Sequence, residues 1–339
     1  MSRAQHNLRV GVLGVGRIGR LHAGNIANET VGARLVAVSD ARSDLAGEVA
    51  EQMGVPSIDA DRLIEDPNVD AVAICSSTDS HVDLIVKAAA AGKAIFCEKP
   101  ISLDLTQVDH ALDAVAKNKV AFMIGFNRRF DPSHDAVHEA VRRGDIGDTH
   151  LVRITSRDPA PPPIDYIKVS GGIFLDMTIH DFDMARFVTG SEVVEVFAQG
   201  AVRIDSAIGD AGDLDTVVVT LRHVNGCFSQ IDNSRRAVYG YDQRVEVFGA
   251  NGMVGSDNVP ETTTMIRSAD GARSAALQNF FLERYRDSYL REWRAFVVAW
   301  KTGSPPPVGG ADGRAALVIG LAAKRSIDLG RPVAITEIN

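Results

Sequence analysis

The sequence predicts an α/β protein of two domains. Residues 1–125 should form a doubly wound parallel sheet, and residues 126–339 an α/β domain whose large, mainly antiparallel sheet is covered by helices on one side and open on the other. Three observations predict this. Short apolar runs alternate with helix-length stretches through the first third of the chain, the cadence of repeated βαβ units. After Arg128 the apolar runs follow one another and include a hairpin signal, Asn225-Gly226. At 339 residues the chain is long for a single core.

Element by element, Leu8–Gly14 reads as an apolar strand and Arg17–Asn28 as the helix that follows it. Arg34–Ser39, Val69–Ser76, Ala94–Cys97 and Val120–Phe126 are further short strands, with His81–Ala91 helical among them. Asp131–Arg143 reads as a helix, His150–Ser156 as a strand, and Asp158–Pro163 as a stiff connector, because a run of prolines cannot join a sheet interior. Val193–Val202, Asp215–His223, Cys227–Asn233 and Arg244–Gly249 alternate or run apolar like strands. Ile173–Val188 and Phe280–Lys301 read as continuous helices. The aromatic stripe of the latter (Phe281, Tyr285, Trp293, Phe296, Trp300) is expected to fill the core. The last helix, Asp312–Leu329, stops at Gly330 with Pro332 beyond it.

Composition narrows the function classes. Apolar content of 45% and charged content of 24% fit a soluble globular protein. A net charge of −8 argues against nucleic acid or an anionic membrane as partner. No run reaches the roughly 20 apolar residues that span a bilayer, and the N-terminus MSRAQHNLRV lacks the apolar core of a signal peptide. Cys75, Cys97 and Cys227 sit in strand-like runs without metal-ligand spacing. They are expected as buried thiols in a reducing compartment, hence a cytoplasmic protein.

Chemistry enters at Gly14-Val15-Gly16-Arg17-Ile18-Gly19, a G-x-G-x-x-G hexad that follows a strand and opens a helix. In that context Gly14 permits the tight turn, Gly16 leaves room for a pyrophosphate, and Gly19 lets helix and strand approach. Arg17 and Ile18 lie in the first helical turn, where free backbone N–H groups and the helix dipole favour phosphate. Asp40 ends the second strand, where an acid should bond the adenosine ribose hydroxyls. A carboxylate there repels a 2′-phosphate, so the expected coenzyme is NAD, with NADP the lesser alternative. An FAD or SAM binder on the same fold, or a degenerate dinucleotide domain, is the competing reading.

Asp176, His180 and Asp183 lie four and then three residues apart, on one face of the expected helix. Lys99, in Glu98-Lys99-Pro100, follows a strand at the carboxyl edge of the first sheet. An acid beside an imidazole, with a lysine at hand, is equipment for taking a proton from an alcohol. The same Asp–His spacing also suits a surface pair or two metal ligands. For His22 and His81 two readings stand side by side, flanking a coenzyme or ordinary packing.

Taken in order, Gly14-x-Gly16-x-x-Gly19-x-x-His22, Asp40, Glu98-Lys99-Pro100 and Asp176-x-x-x-His180 resemble the Gfo/Idh/MocA oxidoreductase family from Leu8 to Val333. Gly125–Asp131, Ser156-Arg157-Asp158-Pro159, Gly171–Phe174 and Tyr239–Asp242 resemble its bacterial inositol 2-dehydrogenase branch. The resemblance implies a Rossmann domain for the first unit and a catalytic set of Lys99, Asp176 and His180. Lys99 would hydrogen-bond the reacting hydroxyl and steady the alkoxide, His180 would be the base, and Asp176 would orient it. Gly14, Gly16, Arg17, Ile18, Gly19, Asp40, Glu98 and Lys99 would contact NAD. Arg128, Asp158, Asp183 and Tyr239 would join Lys99, Asp176 and His180 in holding the substrate.

The resemblance further implies Pro100 in cis, a homotetramer built on the open sheet face, no metal, and a role in inositol catabolism. The expected reaction is NAD-dependent oxidation of a cyclic polyol, myo-inositol to 2-keto-myo-inositol. Another inositol isomer (scyllo, D-chiro) or an aldose is the alternative substrate. A non-catalytic dinucleotide sensor is the alternative class.

Overall fold

The computed structural model describes residues 6–338 and divides into two compact units. One holds the chain up to Asn127 together with Asp287–Ala315; the other holds Arg128–Arg286 and the chain from Ala316 onward. The first crossing falls close to the expected edge at residue 125. The return of Asp287–Ala315 to the first unit is not part of a simple division there.

Five strands form the sheet of the first unit: β1 (Leu8–Leu13), β2 (Ala33–Ser39), β3 (Ala71–Ile74), β4 (Ala94–Cys97) and β5 (Phe122–Ile124). All pairs are parallel, in the order β2-β1-β3-β4-β5. β3 and β4 are buried at every position, as strands covered on both faces must be, which explains why they read as unbroken apolar runs. Strand order reverses between β1 and β3, the switch point where such sheets bind ligands beyond their carboxyl ends. Arg286–Thr302 explains the returning segment. Its Trp293 is fully buried and stacks on Phe96 of β4 with ring centroids 4.7 Å apart, and Phe296 closes on the same ring. Of the aromatic stripe, Tyr285, Trp293, Phe296 and Trp300 are core, as its spacing predicts, while Phe281 is half-buried.

The second unit carries β6 (Thr149–Arg157), β7 (Val193–Ala201), β8 (Thr216–His223), β9 (Phe228–Ser234), β10 (Asp242–Gly249), β11 (Gly252–Ser256) and β14 (Val333–Ala334). They form one sheet in the order β11-β10-β6-β9-β8-β7-β14, antiparallel except for the pair β6/β9. Along β8 every second residue is buried, the period-2 signature of a sheet with one covered face. The opposite face exposes Val218, Phe228 and Phe248 among ion pairs such as Arg153–Glu246 and Arg222–Glu195. A separate hairpin, β12 (Met265–Ser268) with β13 (Gly271–Ser274), is exposed throughout.

Two expected helices are interrupted. Phe280–Lys301 breaks at Tyr285 into Phe281–Arg284 and Arg286–Thr302. Ile173–Val188 breaks into Gly172–Asp176 and Ile179–Thr189. At that break the amides of Met177 and Thr178 both donate to the Ile173 carbonyl, and the Thr178 hydroxyl does so at 3.2 Å. The competing side-chain bond spoils the regular ladder. Asp176 therefore ends one helix while His180 lies in the first turn of the next, with Met177 and Thr178 between them still in right-handed helical backbone conformation.

Candidate active site

The first unit builds its site from the ends of β1, β2, β3 and β4. Gly14 turns the chain at φ +88°, and a Cβ there would lie 2.4 Å from the Ser76 amide nitrogen. A Cβ on Gly19 would lie 1.9 Å from the Gly14 carbonyl oxygen. Those two glycines serve the close approach of helix, turn and the loop after β3. Gly16 differs, since a Cβ on it meets nothing within 4 Å. Its hydrogen faces open space at the start of Arg17–Asn28, and Gly16 and Arg17 are exposed while Ile18 is half-buried. No side chain caps this helix and its first turn holds no acid, so no carboxylate or hydroxyl of that turn competes with a phosphate for its leading N–H groups. Asp40 follows β2; its Oδ2 accepts the Val15 N–H at 2.8 Å and its Oδ1 the Arg42 N–H at 2.9 Å.

Lys99 follows β4, is half-buried, and precedes a cis bond to Pro100, as the resemblance implies. Glu98, expected among the coenzyme contacts, has a buried side chain. Its Oε1 lies 2.8 Å from His22 Nε2, and its Oε2 accepts the Lys99 amide N–H at 3.2 Å. His22 and His81 are buried. Of the two readings for them, the structure favours packing, though through polar contacts.

In the second unit, β6 and β9 run side by side in parallel, with Arg157 in register with Ser234. Their carboxyl ends therefore set Asp158 beside Arg235. The Asp158 amide donates to the Ser234 carbonyl at 3.0 Å, and the Ala237 amide donates to the Asp158 carbonyl at 2.6 Å. Burial raises the Asp158 carboxyl to about 6, the neighbouring Asp176 carboxylate adds to the rise, and Arg128 and Arg235 oppose it. Asp176 accepts from the Tyr166 hydroxyl at 2.9 Å and from Arg235 Nη1 at 3.2 Å. Arg235 is buried and also donates to Asp213 at 3.2 Å, while Asp213 accepts the Ile173 N–H at 2.9 Å. Asp176 is thus pinned from two directions at the helix break, with His180 half-buried four residues on.

Three expected substrate residues, Asp183, Arg128 and Tyr239, each have protein partners. The Asp183 carboxylate is buried and takes a two-point bond from Arg129 at 2.7 and 2.6 Å. Arg128 is buried and donates to Ser156 and Asp181 at 2.9 and 2.7 Å, with the Tyr285 ring 5.7 Å from its guanidinium carbon. Sequence spacing reports which residues share a region, and here the acid and base partners of each charge sit on other strands and helices. Tyr239 is half-exposed, donating to Asp242 at 2.6 Å and accepting from Arg157 at 2.9 Å. Arg235, Tyr166, Asp213 and Asp181 enter the cluster without a sequence motif. Only the Arg235-Arg236 pair directly after a strand hinted at one of them.

Residues 8–126 match the model of an oxidoreductase family with an NAD-binding Rossmann fold, and residues 134–255 match the Gfo/Idh/MocA C-terminal domain. The chain belongs to the Gfo/Idh/MocA oxidoreductase family. Within it, the chain is 54% identical to a myo-inositol 2-dehydrogenase of Thermotoga maritima over 98% of this chain and 99% of that one. It is 49% identical to an inositol 2-dehydrogenase of Rhizobium meliloti, over 97% and 99%. A scyllo-inositol dehydrogenase from Lactobacillus casei, solved with NAD(H) and scyllo-inositol, superposes with a TM-score of 0.90 at 31% identity, covering 97% of this chain and 99% of that chain. The Gfo/Idh/MocA coenzyme fits the residues present: the open space over Gly16, the uncapped helix start and the acid at the end of β2 are the three features a dinucleotide needs.

Proposed function

We propose that this protein is an NAD-dependent inositol 2-dehydrogenase that oxidises myo-inositol to 2-keto-myo-inositol. Its identity to relatives bearing that name carries the reading. The Asp158–Asp176–Arg235 cluster supports it, because a ring polyol presents many hydroxyls and binds best to charged groups. Each hydrogen bond to a charged group contributes about 1.5–3 kcal/mol.

In this mechanism NAD, when bound, accepts the hydride from the carbinol carbon. Lys99 hydrogen-bonds the reacting hydroxyl and stabilises the oxygen as it loses its proton. His180 takes that proton, and Asp176, held by Tyr166 and Arg235, orients the imidazole. Asp158 binds a ring hydroxyl. Gly14, Gly16, Arg17, Ile18 and Gly19 seat the diphosphate and Asp40 the ribose, while Glu98 braces Lys99 from behind. Arg128, Asp183 and Tyr239 shape the wall through Asp181, Arg129 and Asp242.

We further propose a homotetramer joined through the exposed sheet face that carries Val218, Phe228 and Phe248, acting in the cytoplasm in inositol catabolism. Among the described residues no helix is long and apolar enough to cross a membrane, and the three cysteines are buried thiols, which suits a reducing compartment. Initial rates of NADH formation across myo-, scyllo- and D-chiro-inositol and a set of aldoses test the substrate. The reading predicts the highest kcat/KM for myo-inositol; a higher value for scyllo-inositol or an aldose replaces it.

A further inference from the structure

We propose that His22 and His81 are positioning residues for Lys99, two buried imidazoles that tie the Glu98-Lys99-Pro100 segment to the helix and the loop that form the dinucleotide turn. The proposal rests on the role given to Lys99 above. On one side, the indole N–H of Trp293 donates to His22 Nδ1 at 2.8 Å. That makes Nδ1 an acceptor and puts the ring proton on Nε2, which then donates to Glu98 Oε1 at 2.8 Å. Glu98 Oε2 in turn accepts the Lys99 amide. The relay Trp293–His22–Glu98–Lys99 thus has a fixed direction. It starts on the aromatic core and passes through Arg17–Asn28, the helix opened by the glycine turn, of which His22 is part.

On the other side, His81 Nδ1 lies 2.9 Å from the Pro100 carbonyl and its Nε2 lies 3.1 Å from the Ser76 carbonyl. Ser76 is the residue whose amide nitrogen Gly14 abuts. Both partners are acceptors, so a neutral His81 donates to one carbonyl and packs against the other, and it spans the residue after the lysine and the strand-end loop packed on the glycine turn. Each imidazole is buried and spans two segments. A shift of the turn when the diphosphate seats is transmitted to both ends of the Lys99 backbone, and loosening either link lets the ammonium wander. A misplacement of this kind costs roughly 10-fold to 100-fold in rate without loss of binding.

The test compares the full-length enzyme with His22→Phe, His22→Gln and His81→Phe. Gln at 22 can still donate to Glu98 and accept from Trp293, whereas Phe fills the space and does neither. Two readouts are taken: kcat and KM for NAD and myo-inositol, and amide hydrogen exchange of residues 97–101 in the NAD-bound enzyme. We expect His22→Phe and His81→Phe to lower kcat at least tenfold with KM for NAD within a few-fold, to speed exchange in residues 97–101, and to leave exchange elsewhere in the first unit unchanged. His22→Gln should recover most of both. Unchanged exchange and kcat in the Phe variants, or a failure of Gln to recover either, overturns the proposal. Faster exchange with undiminished kcat upholds the positioning and overturns instead the role given to Lys99.

Discussion

The Asp40 carboxylate accepts the Val15 N–H at 2.8 Å, so the acid that ends β2 also holds the glycine turn that follows β1. Its charge and its acceptor oxygen do separate work. Asp40→Asn keeps an oxygen for Val15 but removes the charge that would repel a 2′-phosphate. This variant should fold as the parent does and raise kcat/KM for NADP about tenfold, a shift near 1.4 kcal/mol. Steady-state rates with both coenzymes decide it; an unaltered ratio assigns the selectivity elsewhere.

The three glycines of the hexad should separate under substitution. Gly16→Ala points a methyl into open space, so the melting temperature of the coenzyme-free protein stays put while NAD affinity falls, because the methyl occupies the phosphate's approach. Gly14→Ala collides with Ser76 backbone at a φ of +88° and should destabilise the fold itself by about 1–3 kcal/mol from backbone strain alone. Thermal unfolding beside NAD titration checks both; a Gly16→Ala protein that binds NAD normally would remove the turn from the coenzyme site.

Arg235 is the cation on which two carboxylates, Asp176 and Asp213, depend. Removing a buried partner leaves uncompensated charge, at a cost of about 3–5 kcal/mol. Arg235→Ala should therefore unfold at lower denaturant than Arg235→Lys, which keeps the charge but not the forked geometry. Both should lose activity, since Asp176 is freed on one side. Equal stability of Arg235→Ala and the parent would show that the pair contributes nothing.

Glu292 is fully buried with neither carboxyl oxygen hydrogen-bonded. Burial, and next the charge of Glu98, push its carboxyl well above the usual glutamate range, so it is a neutral acid in the folded enzyme. The sign follows from proton counting. Below the ordinary glutamate value both folded and unfolded chains hold the proton, and the burial is at its most favourable. Above it only the folded chain does, so stability falls with pH by about 1.4 kcal/mol per unit until the folded group ionises. Glu292→Gln should flatten the decline above pH 5 in chemical denaturation series. Parallel pH slopes for the parent and the variant would mean the group is ionised in the fold.

Much of this was legible in the sequence because it depends on local pattern. β4 at Ala94–Cys97 and the helix Arg17–Asn28 fall where apolar runs and the glycine hexad place them. Helix continuity was not legible at Thr178, where one hydroxyl competing for the Ile173 carbonyl outweighs a favourable residue run. Nor were the partners of the charged residues. Asp183 meets Arg129 and Asp176 meets Arg235 across 54 and 59 positions of chain, separations that no periodicity encodes. The partners of Glu98 were not legible either: its carboxylate accepts the Lys99 N–H and meets His22, a residue 76 positions away.

NADH formation from myo-inositol by Lys99→Ala, with NAD binding determined on the same sample, bears on the role of the lysine with the fewest intermediaries. NAD affinity should stay within a few-fold of the parent while turnover falls by about a hundredfold to a thousandfold, the scale lost when a preorganised electrostatic contact to the reacting oxygen disappears. A Lys99→Ala enzyme that binds NAD and oxidises myo-inositol near the parent rate would contradict it.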